Sequence, residues 1–182
     1  MQTTNNILID ELLHIVESTT VSAKKFKQLS DAQLKFKKSP ESWSVLECIE
    51  HLNLYGDFYL PEIQKEILNA EKVPSASIVK SGAIGNYFAN LMKVKDGKLK
   101  KMKSPADKNP ATSELSFTTI DRFLKQQELL KQLLLQSRTV NLTKTKTSIS
   151  LTRLIRLRLG DTLRFLVYHM ERHIQQAVAV HS

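Results

Sequence analysis

Apolar residues recur at intervals of three and four positions along four separate stretches of this chain. In the first stretch, which begins near Thr3, the repeat is carried by Leu8, Leu12, Ile15 and Val16. Such spacing places the apolar side chains on one face of an α-helix, and that face has to be buried against another element. Because the sequence has only five glycines and five prolines, mostly between the stretches, it predicts long helices.

The second stretch has a well-defined beginning. The sequence WSVLE supplies Ser44 as N-cap and Glu47 three residues later, which is the spacing of a capping box. Trp43 precedes the cap and can pack against the first turn as a hydrophobic staple. We expect this helix to run to about Leu60. Pro61 lacks a backbone donor and should kink or interrupt the helix before the sequence EIQKEILNAE continues it.

Two further helices are predicted in the second half of the chain. TTIDRFLKQQELLKQLLLQS has Thr118 as its N-cap, and the last helix is capped by Asp161 and runs to about Val180. Between them, RTVNLTKTKTSIS fits an extended segment or a loop, and LTRLIRLRLG is predicted as one short helix that ends at Gly160. Four principal helices with almost no strand signal predict an all-α fold, a four-helix bundle in which residues 1–182 form one domain.

A long connection separates the second and third helices. Residues 73–113 show one candidate for a short helix, around Asn86–Lys93, and then a basic loop with seven lysines between Lys93 and Lys108. Lysines that repel one another without apolar anchors gain little free energy by becoming ordered. The segment Lys95–Lys108 is therefore predicted to be the most mobile internal part of the chain.

The formal net charge of +9 raises the question of a polyanionic partner. The excess is concentrated in the lysine loop and in a second basic block, Arg138–Arg164. Recognition of single-stranded nucleic acid uses aromatic side chains interleaved with the basic ones, and none lies between Lys93 and Lys108. The sequence therefore disfavours nucleic-acid binding, and we expect a small-molecule substrate instead.

Cysteine content and hydropathy bear on the compartment. The single cysteine, Cys48, excludes an internal disulfide framework and fits a reducing cytosol. Residues Met1–Asn6 lack the charged start and apolar block of a signal peptide. No apolar run approaches the about 18 to 20 residues that a membrane-spanning helix needs. We expect a cytoplasmic protein with no membrane partner.

Two histidines lie one helical turn apart near the C-terminus. In FLVYHMERHIQQAV, His169 and His173 share a stripe with Leu166, Gln176 and Val180. Paired imidazoles at this spacing can converge on a metal ion. A histidine on a partly apolar face is, however, more often hydrogen-bonded or half-exposed than a ligand, so the pair alone leaves both interpretations open.

A third histidine makes a metal site the better interpretation. His51 lies on one stripe of the second helix with Cys48, Tyr55 and Phe58, a face apolar enough to point inward. If the second and last helices are neighbours, His51 meets the histidine pair. Three neutral imidazoles suit a borderline divalent cation such as Zn²⁺, Ni²⁺ or Cu²⁺ and leave coordination positions for other ligands.

The two histidine-bearing segments also resemble a known family pattern. WSVLECIEH and GDTLRFLVYHMERHIQQ match the family's WS…E…H start of the second helix and its late helix with two histidines and a glutamine. The matching positions are Trp43, Ser44, Glu47, His51, Gly160, Asp161, Leu163, Phe165, His169, His173 and Gln176. The chain is thus similar to the DinB-like (DinB/YfiT) metal-binding four-helix bundles.

The resemblance implies that a divalent metal is held by His51, His169 and His173, and that the protein forms a homodimer. It covers both histidine-bearing helices, whereas residues 73–113 are longer and more basic than a typical loop of the family. Members similar to this chain are known or proposed as thiol-dependent transferases and isomerases or as metal-dependent hydrolases, and many have no assigned reaction. Because residues 73–113 differ from the family's usual loop, we do not transfer the family's substrate preference to this chain.

Each neighbour of the expected site has two interpretations. Glu47 either supports His51 one turn later or only caps its helix. Cys48 is either a fourth ligand or a small buried hydrophobe. Tyr55 either donates a hydrogen bond to a ligand at the metal or fills the core. Gln176 either orients the ring of His173 or faces solvent.

The expected activity is transfer of a low-molecular-weight thiol to a small electrophile, with a divalent metal ion and the thiol as cofactors. A metal-dependent hydrolase and a non-catalytic metal-binding or interaction module are the alternatives. No catalytic residue is assigned from the sequence. His14 and His181 have no partners at a useful spacing and are expected at the surface.

Overall fold

The computed structural model describes residues 2–94, 103–110 and 113–181. The helices are α1 (Asn5–Phe26), α2 (Asp31–Lys35), α3 (Val45–Leu68), α4 (Ala83–Met92), α5 (Phe117–Ser137) and α6 (Leu159–Val178). The strands are β1 (Gln2–Thr4), β2 (Ile78–Lys80), β3 (Lys146–Ile149) and β4 (Thr152–Arg158). Most described residues are helical, which confirms the predicted all-α class.

The four long helices form the predicted bundle. Helix α1 packs against α5 and α6, and α3 packs against the same two helices. They share one apolar core, in which Leu12, Leu52, Phe123 and Leu166 are fully buried. Burying a side chain of this size contributes about 1.5 to 3 kcal/mol. Among the described helices, none is both long and apolar enough to cross a membrane.

The start of α3 confirms the predicted capping box. The backbone N–H of Ser44 donates to Glu47 Oε2 at 2.8 Å, and the backbone N–H of Glu47 donates to Ser44 Oγ at 3.2 Å. The other carboxylate oxygen of Glu47 pairs with Lys37 Nζ at 2.6 Å. The carboxylate is therefore fully used by the cap and this ion pair.

The other long helices begin within two residues of the predicted positions. Helix α1 is capped by Thr4, and α5 is capped by Ser116 rather than by Thr118. The predicted cap of the last helix is wrong, because α6 begins at Leu159 and Asp161 lies in its first turn. The carboxylate of Asp161 instead accepts the backbone N–H of Gly82 at 2.8 Å.

Of the two effects predicted for Pro61, a kink or an interruption, the interruption is wrong, since α3 continues through this residue to Leu68. Proline removes one intrahelical hydrogen bond, here the one to the carbonyl of Asp57. Both residues are exposed. Water can therefore satisfy that carbonyl, and the helix tolerates the proline.

The predicted short helix in LTRLIRLRLG is also wrong, because most of this segment is strand β4. It pairs antiparallel with β3, with an irregularity in register between Ser148 and Ile149. Within this strand Leu157 is buried, whereas Leu154, Ile155 and Arg156 are exposed. Strands β1 and β2 form the second antiparallel pair, and each described sheet has only two strands.

The connection between α3 and α5 contains the expected short helix. It was predicted around Asn86–Lys93 and is observed as α4, which packs along α6. The segment Lys95–Lys108 was predicted to be mobile. Its first part, residues 95–102, lies outside the described residues. Its last residues form the 3₁₀ turn Ala106–Lys108, which contacts α3.

Candidate metal centre

Helices α3 and α6 bring three histidines together at their contact. His51 lies on α3, and His169 and His173 lie on α6. Their ligand-capable nitrogen atoms are all within 4.8 Å of one another. Among the histidine, cysteine and acidic residues that the structure describes, no other set of three or more lies close enough to share a metal ion. The expectation that the second and last helices are neighbours is confirmed, and it places His51 against the pair.

Hydrogen bonds to two of the rings define which nitrogen is free. His51 Nδ1 lies 2.7 Å from the backbone carbonyl oxygen of Lys108, and His173 Nδ1 lies 2.9 Å from Gln176 Oε1. Both oxygens can only accept, so each Nδ1 carries the proton and donates it. The Nε2 atoms of these two rings therefore keep their lone pairs, which is the usual arrangement for metal-binding histidines. Of the two interpretations of Gln176, the structure supports ring orientation.

The spacing of the nitrogens fits a metal ion. His51 Nε2 and His169 Nε2 are 3.1 Å apart. Two nitrogen ligands that bind Zn²⁺ at about 2.0–2.1 Å in tetrahedral geometry lie about 3.3 Å from each other. The donor set of imidazoles also suits the borderline cations named above. The three residues predicted as ligands are thus placed where they could hold a divalent cation.

Burial keeps all three imidazoles neutral. It lowers the pKa of His51 to about 4 and that of His173 to about 3. Burial and the neighbouring rings of His173 and His51 lower the pKa of His169 well below its usual value. A neutral imidazole is the form that binds a metal ion. The site is therefore ready to bind a cation at neutral pH.

Aromatic rings surround the histidines and hold them in place. The ring of Trp43 lies 4.7 Å from that of His51 and 5.7 Å from that of His173, measured between centroids. Phe165 stacks in parallel on His169, whose buried Nδ1 has no hydrogen-bond partner among the described residues. Tyr55 lies 4.4 Å from His169. The sequence indicated Trp43 only as a staple; its contact with two histidine rings was missed, because it depends on where α6 lies.

The remaining candidates are separate from the cluster. Cys48 is fully buried, and burial, helped by Glu47, raises the pKa of its thiol to about 12. It is not part of the described histidine group, so the structure supports a buried hydrophobe. His14 and His181 are both exposed, as expected, and His181 stacks on Phe36.

A cavity of about 700 Å³ opens beside the three histidines. Besides the histidines, its lining includes an aromatic and aliphatic wall formed by Trp43, Tyr55, Tyr59, Phe88, Leu91, Met92, Ile149, Leu151, Leu157 and Phe165. Cavities of about 300–1,000 Å³ are typical of small-molecule sites. Its charged lining residues are Glu41, Lys103 and Arg172. The basic block Arg138–Arg164 borders the cavity only with uncharged residues such as Ile149, Leu151 and Leu157, and none of its described basic side chains belongs to the lining.

Comparison with known families agrees with this geometry. A sequence model of the DinB superfamily matches residues 13–177, a span that contains all three histidines. The chain belongs to the DinB superfamily. Membership confirms the resemblance drawn from the two histidine motifs, and the histidine cluster agrees with metal binding in DinB-like bundles. Comparison with curated proteins and with solved structures gave no match.

Proposed function

We propose that this DinB-superfamily protein binds a divalent metal ion through His51, His169 and His173 and transfers a low-molecular-weight thiol to a small electrophile. The observation that carries the proposal is the position of three neutral imidazoles in the wall of a large cavity. Three protein ligands leave a coordination position open, which is typical of catalytic rather than structural metal sites.

The protein's own residues hold the donors in place. The carbonyl of Lys108 and the side chain of Gln176 fix the rings of His51 and His173 by accepting their Nδ1–H groups. Three neutral ligands leave the positive charge of the cation uncompensated, which favours an anion beside it. When bound, the metal ion supplies Lewis acidity that lowers the pKa of a thiol or of a water molecule.

Thiol transfer suits the cavity better than hydrolysis does. A free thiol has a pKa of about 8.5, so a small shift suffices to release its proton to solvent. The sulfur lone pair then forms the bond to carbon, and the leaving group departs with the bonding electrons. Hydrolysis commonly uses a protein base for the attacking water. Among the described residues that line the cavity, Glu41 is the one that carries a carboxylate, and it is exposed.

The test begins with elemental analysis of protein purified without an affinity tag, where we expect about one divalent ion per chain. Cobalt is then substituted for that ion, and a panel of low-molecular-weight cellular thiols is added. A sulfur-to-metal charge-transfer band with at least one thiol supports the transferase. An unchanged spectrum with a fully loaded protein contradicts it and leaves hydrolysis or simple metal binding.

A further inference from the structure

Helix α6 carries two buried arginines whose surroundings differ. Arg164 is 3% exposed and Arg172 is 6% exposed. The terminal nitrogens of Arg164 donate to acceptors on Ser81, Asn86, Asn90 and Asp161. Both terminal nitrogens are satisfied within the fold and join α4 to α6, whereas the buried Nε has no partner among the described residues.

Arg172 has no such partners. It makes no hydrogen bond or ion pair with any residue that the structure describes, and burial is the cause that lowers its pKa. It lies on α6 between His169 and His173 and lines the same cavity. An arginine remains charged at physiological pH, so a positive charge is held here without a counter-charge from the residues that the structure describes.

No nitrogen of Arg172 is among the described polar atoms that are both sealed from solvent and without a partner, so its guanidinium reaches the cavity, where water or a ligand can satisfy it. Its five N–H donors form a planar fork that matches the two oxygens of a carboxylate or phosphate. The other charged lining residues, Lys103 and Glu41, are both exposed. The N–H donors of Arg172 are therefore available to a ligand inside the cavity.

We propose that Arg172 binds the oxyanion group, a carboxylate or a phosphate, of the ligand that occupies the cavity. The apolar body of that ligand packs against the aromatic wall at Tyr59, Phe88 and Phe165. This inference rests on the proposed function for the reaction in which the ligand takes part. The anion subsite itself does not require the metal.

The experiment is calorimetric titration of the metal-free protein with three probes of similar shape: phenylbutyrate, phenylethyl phosphate and the neutral phenylbutyramide. We expect at least one anion to bind about 10-fold or more tighter than the amide, as charge-assisted hydrogen bonds provide. Arg172→Gln should abolish this preference, and Arg172→Lys should retain part of it. Comparing carboxylate with phosphate identifies which group the subsite prefers.

Lys125→Gln is the matched control, since it removes one positive charge from an exposed position on α5. It should keep the anion preference. Wild-type protein that binds no anion more tightly than the amide overturns the proposal, and so does an equal preference in a folded Arg172→Gln protein. Should Arg172→Gln fail to fold, Arg172→Met takes its place, and a full anion preference in the folded Arg172→Met protein would overturn the proposal. An Arg172-dependent preference in protein that takes up no metal supports the anion subsite while the proposed function fails.

Discussion

Two polar clusters are buried on helix α6, and they differ in how far the chain satisfies them. In the cluster around Arg164, both terminal guanidinium nitrogens have acceptors, and only its Nε lacks one. In the cluster around His169, two neutral rings face each other with Nε2 atoms 3.1 Å apart, and Arg172 has no partner among the described residues.

The difference distinguishes a structural cluster from a binding cluster. Buried polar groups in native proteins nearly always have hydrogen-bond partners. The Arg164 cluster finds them within the chain and thereby joins α4 to α6. The histidine cluster and Arg172 keep donor and acceptor capacity that a metal ion and an anionic ligand can use. Substitutions in the first cluster should affect stability, and substitutions in the second should affect binding.

The largest expected effect comes from Arg164→Ala. It leaves the carboxylate of Asp161, which is 1% exposed, without its buried counter-charge. We expect the free energy of unfolding to fall by about 3–5 kcal/mol, measured by urea denaturation. Arg172→Gln is the matched substitution and should leave stability nearly unchanged, because the guanidinium it removes reaches the cavity and has no partner among the described residues. Equal losses of unfolding free energy in Arg164→Ala and Arg172→Gln would contradict the distinction between a structural and a binding cluster.

Substitution of any one of the three histidines should affect metal binding instead. In His51→Ala, His169→Ala or His173→Ala, we expect metal affinity to fall by more than about 100-fold, since losing a ligand exceeds the effect of losing its supporting partner. The bundle should stay folded by circular dichroism, because apolar stripes hold the helices together. Unfolding of the wild type on chelation would show instead that the site is structural.

The histidine cluster should also make the stability of the metal-free protein depend on pH. The folded-state pKa values of His51 and His173, about 4 and about 3, lie below the ordinary value, so the unfolded chain takes up protons first. The contribution of these neutral histidines to the free energy of unfolding is complete above about pH 6.5, and it is lost as the pH falls towards 4. Between pH 7 and pH 5 we expect a loss of about 2 kcal/mol per histidine.

Urea denaturation at a series of pH values measures this dependence. The exposed residue His14 provides the control, since His14→Gln should leave the dependence unchanged. A free energy of unfolding that stays level from pH 7 to pH 5 would show that the rings are not held neutral by burial.

The smallest expected effect is that of Gln176→Ala. The acceptor of the His173 Nδ1–H group is lost, whereas the ligand itself remains. We expect metal affinity to fall by about 10-fold, the lower limit for such supporting partners. Competition with a metal-binding dye measures the change. A loss as large as that of His173→Ala would indicate that Gln176 binds the metal directly.

Helix positions were predictable because their signals are local. Apolar spacing and the Ser44–Glu47 cap lie within a few residues of the elements they specify. Strand β4 was missed because a short segment of alternating leucine and arginine acquires its structure from pairing with β3. The tolerance of Pro61 was missed for a related reason, since it depends on which side of α3 faces solvent.

The sequence by itself determined which residues share a helix face, because the helix repeat is set by neighbouring residues. It therefore placed His169 and His173 together on α6 and His51 on the inward face of α3. Only the tertiary structure decided that a carbonyl 57 residues further along the chain orients His51. It also decided that α4 supplies acceptors to Arg164 and that no described residue supplies one to Arg172, because those contacts depend on how distant segments pack against α6.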